Sequence, residues 1–243
     1  MGEALFWGVV SSGSLLVGAL LALLRPVNRT VLGLVMAFGG GVLVSAVAFE
    51  LVEEGIHTAG RLREVAFGLF AGSLAYFAGD ALIDRWGGRD RKRSGGQQAG
   101  GSGLAIVLGT VLDGVPESLV IGLTLVKGGS VGVALVVAVF LSNLPEAISG
   151  TAGLRAAHWS GGRVVALWGS VVAVSTAATG AGYGIFADTS PKTVAIVLGF
   201  AAGAIITMLA DTMMPEAFEN GGRAVGLLTT IGFATAVAVD AFA

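Results

Sequence analysis

The chain has 243 residues, 54% of them apolar and 12% charged, with a formal net charge of −2. A soluble globular domain carries roughly 25% charged residues, so this composition, with a mean hydropathy of +0.85, excludes an ordinary soluble domain. The lack of cysteine excludes disulfides and thiolate metal sites, and so small a net charge says little about partners; no nucleic-acid partner is expected.

Uncharged runs recur along the sequence, beginning with Leu5–Leu24 and Thr30–Phe49. A helix needs about 20 apolar residues to cross the hydrocarbon core. The pattern predicts an all-α, polytopic membrane protein with a single transmembrane domain over 1–243. Eight transmembrane helices are expected at about 4–24, 31–54, 64–83, 103–126, 130–154, 163–187, 192–214 and 223–241. The Met1-Gly2-Glu3 start lacks a basic region, so the first run reads as a retained helix rather than a removed signal. The 40 glycines suit membrane helices, whose backbones approach closely where side chains are small.

The long polar connection is 84–102, where five basic residues precede a Gly/Ser/Gln-rich stretch, and it reads as a flexible loop. With the N-terminus outside, the cytoplasmic loops hold ten Lys and Arg and the outer loops four. That bias predicts both termini outside, in an integral protein of the plasma (inner) membrane.

Two internal repeats stand out. A shift of 29 residues lays Gly103, Ala105, Val107, Leu112, Pro116 and Glu117 on Gly132, Ala134, Val136, Leu141, Pro145 and Glu146. A shift of 162 lays Phe38, Gly41, Val44, Ser45 and Glu54 on Phe200, Gly203, Ile206, Thr207 and Glu216. With eight spans, both pairs of helices run in opposite directions, which predicts a 3+2+3 arrangement with inverted repeats. Transporters built this way bind their substrate near the midplane; chance likeness among Gly/Ala/Val-rich helices is the plainer explanation.

Three of the five prolines precede glutamate, at 116–117, 145–146 and 215–216. Proline removes a helical hydrogen bond, and a carboxylate at the bilayer centre costs roughly 3 kcal/mol. Asp113 and Glu117 share one helix face, and Pro116 frees the carbonyl of Leu112. Ser142 and Glu146 repeat the spacing on the next helix, with Asn143 beside them, and Pro145 frees the carbonyl of Leu141. All are oxygen donors, which suit hard or borderline divalent cations. The three acids would together cost on the order of 9 kcal/mol facing lipid, and neither helix carries a Lys or Arg near them. A bound cation or protons must offset that charge. Protonated acids hydrogen-bonding neighbouring helices are the plainer reading.

Glu50, inside the second helix, reads as a pathway or ligand residue, and Asp211, before Pro215, as a further ligand. Glu53 and Glu54 read as solvated end residues, and Glu216 and Glu219 as lining the cytoplasmic exit or facing water. Asp80 and Asp84 are expected to pair with Arg85 and Arg89, and Asp240 to be solvated. His57 and His158 fall in or beside loops. The four tryptophans read mostly as interfacial anchors.

At Asp113-Gly114-Val115-Pro116-Glu117-Ser118 and Ser142-Asn143-Leu144-Pro145-Glu146 the chain resembles the ZIP (Zrt/Irt-like) family of metal-ion transporters. The likeness extends to the helix order, the loop after the third helix and the Asp211-to-Glu216 stretch. It implies one or two transport sites framed by helices 2, 4, 5 and 7, movement of a divalent metal (Zn²⁺, Fe²⁺ or Mn²⁺ as substrate) toward the cytoplasm, a homodimer and an elevator-like motion. It implies no resident cofactor. The chain departs from the family where Asp113 replaces histidine, Gly114 replaces asparagine and the loop lacks histidine. Carboxylate for imidazole hardens the site, which gives Mn²⁺ and Fe²⁺ weight against Zn²⁺, and losing the asparagine favours one metal position.

Two other functions fit the same residues. One is a proton-linked carrier of a small non-metal solute, with the acids as relays. The other is a non-transporting sensor or assembly subunit, which would not need an acid cluster. No HExxH motif or nucleophile–base pair is present, so an enzyme is not expected.

Overall fold

The computed structural model describes residues 1–25, 27–89, 103–127 and 132–242. Residues 90–102 of the expected polar loop and the side chain of Asp240 lie outside the described residues. Every regular element among the described residues is helical: α1 (Gly2–Leu24), α2 (Arg29–Ala59), α3 (Leu62–Gly88), α4 (Gly103–Thr124), α5 (Val133–Ala156), α6 (Gly161–Phe186), α7 (Pro191–Gly221) and α8 (Ala224–Phe242). Seven of these are long and apolar enough to cross a membrane, and the eighth holds a shorter apolar stretch at Ala224–Val239. The chain is thus a polytopic, all-α integral membrane protein.

Local chemistry sets the helix ends. Asn28, Ser160 and Ser190 each turn a side-chain oxygen onto free N–H groups of the following first turn, at 2.9–3.3 Å. Gly60 closes α2 with φ +65°, a left-handed backbone that glycine adopts without a Cβ clash. The helical turns of α3 run past the expected boundary at 83 to Trp86, and Gly87 then breaks them with a left-handed backbone at φ +91°.

The helices pack in two sets. α1 lies against α5 and α6, and α4 against α6; α3 lies against α7, and α2 against α8 and α7. The sets meet where α2 touches α5, α4 touches α7 and α3 touches α4. Leu15, Ala19, Ala147, Leu154, Val164, Leu167 and Val171 make a separate apolar core inside the first set. Trp168 joins that core, donating its indole N–H to Thr151 Oγ1 at 2.8 Å, so it is buried rather than an interfacial anchor.

Glycine sets the closest approaches in the second set. Gly41 lies under the carbonyl of Thr229, and Gly203 under that of Leu69. Gly232 lies under the carbonyl of Phe38, and Gly72 under that of Phe200. A Cβ at any of these four glycines would overlap the facing carbonyl. Gly41 with Gly203, and Phe38 with Phe200, are the positions that the 162-residue shift superposes. Along α2, Gly33 faces Gly221, Gly40 faces Met214 and Gly55 faces Leu198, so α2 and α7 run antiparallel.

Candidate functional site

Among the described residues five helices break their regular hydrogen bonding: α3 at its end, over Asp84–Gly88, and α2, α4, α5 and α7 in their interiors, where each break carries an acid. α4 and α5 contain Pro116 and Pro145 in their interiors. α2 widens into π-helical turns over Val47–Glu53, and α7 does so over Leu209–Met213. The two widened segments start at Val47 and Leu209, positions that the 162-residue shift also superposes. π-turns inside α-helices occur frequently at functional sites. Glu50 lies in the first and Asp211 in the second, while Asp113, Glu117 and Glu146 flank the prolines. Sequence reading found the prolines but not the π-turns, because Val47–Glu53 contains no proline or glycine to mark one.

On α4, Asp113 is 3% exposed and Glu117 is 1% exposed. Asp113 accepts a short hydrogen bond from the hydroxyl of Tyr76 on α3, itself buried at 2%. Tyr76 was not a sequence candidate, since a lone tyrosine in an apolar helix carries no motif. Gly114, where the family pattern has asparagine, faces Ser175 Oγ on α6, and a Cβ there would stand 3.2 Å from it.

On α5, Ser142, Asn143 and Glu146 are all buried. Ser142 donates to the carbonyl of Val139 at 3.0 Å, one turn back in its own helix. The Leu141 carbonyl, which Pro145 leaves without its helical donor, faces Gly39 of α2; a Cβ at 39 would lie 2.8 Å from that oxygen.

α5 also orders the outlying acids. Glu50, half-buried, lays its carboxylate beside Gly132 at the start of α5, where a Cβ would stand 2.8 Å from Oε2. From Gly132 to Glu146 is roughly 20 Å along a helix axis, so Glu50 and Glu146 belong to different depths. Beyond Glu146, Ser149 donates to Glu216 Oε1 of α7 at 3.0 Å, and Asn220 donates to the same oxygen at 3.0 Å. Glu216 is 4% exposed, which corrects the expectation that it lines an exit or faces water. Its burial follows from the packing of this end of α7 against α2 and the bond from Ser149, which no single helix reveals. Glu53 and Glu54 are exposed as expected, with Glu54 accepting from Thr58 at 2.9 Å and Glu53 lying 3.6 Å from His57. Asp211 is exposed on α7.

Glu50, Glu146 and Glu216 therefore stand at successive levels of α5 rather than in a single cluster. Among the described residues, no three His, Asp or Glu side chains gather closely enough to hold one metal ion together. A cation on α4 or α5 would be held by one or two carboxylates completed by Asn143, hydroxyls or main-chain oxygens, a donor set that suits hard ions. No protein-family model matches the chain, and no curated protein does. The likeness to the ZIP family thus rests on the Pro-Glu motifs and the helix order.

Proposed function

We propose that the chain carries a divalent metal cation across the membrane, passing it along the acids of α2, α4, α5 and α7. One observation carries this reading: Asp113, Glu117 and Glu146 are each at most 4% exposed and flank prolines inside apolar helices. Buried acids in spanning helices mark ion or proton pathways. Glu117 and Glu146 are the central ligands, with Asp113, Ser142 and Asn143 around them. Glu50 receives the ion at one end of α5, and Asp211 assists from the widened segment of α7. The carboxylate-rich donor set favours Mn²⁺ or Fe²⁺ over Zn²⁺.

The helix contacts support a 3+2+3 inverted repeat. Exchanging α1 with α6, α2 with α7, α3 with α8 and α4 with α5 turns each pair of closely packed helices into another such pair. The matched glycines, the matched π-turns and the antiparallel run of α2 and α7 agree with it. The two packed sets give transport a natural division, with the set of α1, α4, α5 and α6 sliding against the set of α2, α3, α7 and α8. By resemblance, the protein is a homodimer of the plasma membrane with both termini outside, moving metal inward.

The test is uptake by liposomes containing the purified chain, with Mn²⁺, Fe²⁺ and Zn²⁺ as substrates. Uptake is expected with the parent chain and with Asp80→Asn, and is expected to vanish in Glu117→Ala and Glu146→Ala. Vesicles that move no metal but couple a proton gradient to another solute would replace this reading with the proton-linked carrier.

A further inference from the structure

A groove of about 270 Å³ opens between the first turns of α3 and α7, lined by Arg63, Glu64, Phe67, Lys192 and Ile196. Gly199 lies under the carbonyl of Val65 and Gly203 under that of Leu69, so α3 and α7 run in parallel and bring their starts to the same end of the bundle. Charge and hydrophobicity are segregated within the groove. Arg63 and Lys192 stand at its rim, and Phe67, one turn further along α3, is roughly 6 Å deeper along the axis. Phe67, Phe70, Leu74 and Phe77 are 60–68% exposed and continue the apolar track along α3 away from the groove.

Glu64 explains why Arg63 is held there. It is 5% exposed, and its carboxylate lies 3.3 Å from the Arg63 guanidinium. A buried acid thus anchors an exposed arginine that would otherwise extend freely into water. Among the described residues, no carboxylate lies within ion-pair distance of Lys192. Counting Arg63, Lys192 and Glu64, the groove keeps one positive charge above an apolar floor.

We propose that this groove binds a membrane phospholipid, with its phosphodiester between Lys192 and Arg63 and an acyl chain along Phe67 and Ile196. A phosphodiester carries the single negative charge that balances the groove. A free phosphate would leave the apolar floor unused, whereas a lipid occupies both parts. Guanidinium and ammonium groups bind phosphate oxygens through charge-assisted hydrogen bonds, and basic residues at the bilayer surface attract such headgroups. The occupant also bridges α3 and α7 at the membrane boundary, outside the transport path.

Native mass spectrometry of the purified full chain tests this, with phosphatidylglycerol, phosphatidylethanolamine and diacylglycerol of matched acyl chains added in turn. Both phospholipids are expected to form a persistent adduct and diacylglycerol none. Lys192→Ala and Arg63→Ala are each expected to lower adduct occupancy by about fivefold, the effect of roughly one interfacial charge. Lys192→Arg is expected to retain the adduct, which separates loss of the site from misfolding, and Arg223→Ala at another helix start is expected to leave it unchanged. An equal adduct from diacylglycerol, or unchanged occupancy in Lys192→Ala, would overturn the proposal. So would displacement of the lipid by millimolar inorganic phosphate, which would make this a site for a soluble anion.

Discussion

Ser149 on α5 donates to the buried carboxylate of Glu216 on α7, joining the two packed sets of helices at 3.0 Å. The position that the 162-residue shift superposes on Glu216 is Glu54, which is exposed and accepts a hydrogen bond from Thr58 at 2.9 Å. Glu216 is buried and Glu54 is exposed, so the two matched positions differ in environment. The bond therefore ties α5 to α7 at the level of Ser149.

Breaking that tie is expected to loosen one end of the bundle. The absence of cysteine makes a single introduced thiol easy to read. A cysteine at Ala217, which is 0% exposed, is expected to react slowly with a water-soluble maleimide. Adding Ser149→Ala is expected to speed that reaction about tenfold, since a hydrogen bond to a charged group contributes about 1.5–3 kcal/mol. An unchanged rate would show that packing alone closes this end.

Tyr76 and Asp113 make a second bond between the sets, and it competes with any ion for the same carboxylate oxygen. Tyr76→Phe is expected to lower stability by about 1–3 kcal/mol, the cost of leaving a buried acceptor without its donor. It is also expected to tighten Mn²⁺ binding, because Asp113 then offers that oxygen to the metal. Isothermal titration of the purified variant, paired with its denaturation curve, separates the two effects.

Asp113→His tests the choice of metal. Imidazole softens a site made otherwise of oxygen donors, so the ratio of Zn²⁺ to Mn²⁺ uptake in liposomes is expected to rise. Asp113→Asn removes charge without adding nitrogen ligation and is expected to lower uptake of both ions.

Gly41 and Gly203 test the repeat itself. Each lies beneath a carbonyl of a neighbouring helix, and added carbon at either would force the backbones apart. Gly41→Ala and Gly203→Ala are each expected to destabilise the fold by about 1–3 kcal/mol, as overpacking does. Similar losses in denaturation are expected at the two sites. A large loss at one and none at the other would mean that the halves pack by different rules.

Much of this architecture was legible in the sequence because hydropathy alone marks a membrane span. The expected helix at 163–187 and the observed Gly161–Phe186 differ by only a residue or two at each end, where Ser160 supplies the cap. The likeness between α2 and α7 was legible because Gly41 and Gly203 keep small residues where backbones meet. Pro116 and Pro145 announced the breaks in α4 and α5. What escaped were relations between helices: Tyr76 reaching Asp113, Glu216 buried against Ser149, and Trp168 turned inward to Thr151. These depend on which faces meet, and an apolar helix with small residues on several sides does not declare its packed face.

The widened segments of α2 and α7 bear on how this chain tolerates change in length. A π-turn accommodates one residue more than the α-helical ladder needs. Removing one residue within Val47–Glu53 would let α2 close into an unbroken helix, with every hydrogen bond still made. The same deletion elsewhere in α2 would turn all that follows by about 100° and spoil the glycine contacts. Within the widened segment it turns the Glu50 carboxylate away from Gly132 while Gly55, beyond it, stays in register with Leu198 of α7. Here a shorter chain can keep its fold while moving one carboxylate, which makes length, as much as side-chain identity, a determinant of where the acids stand.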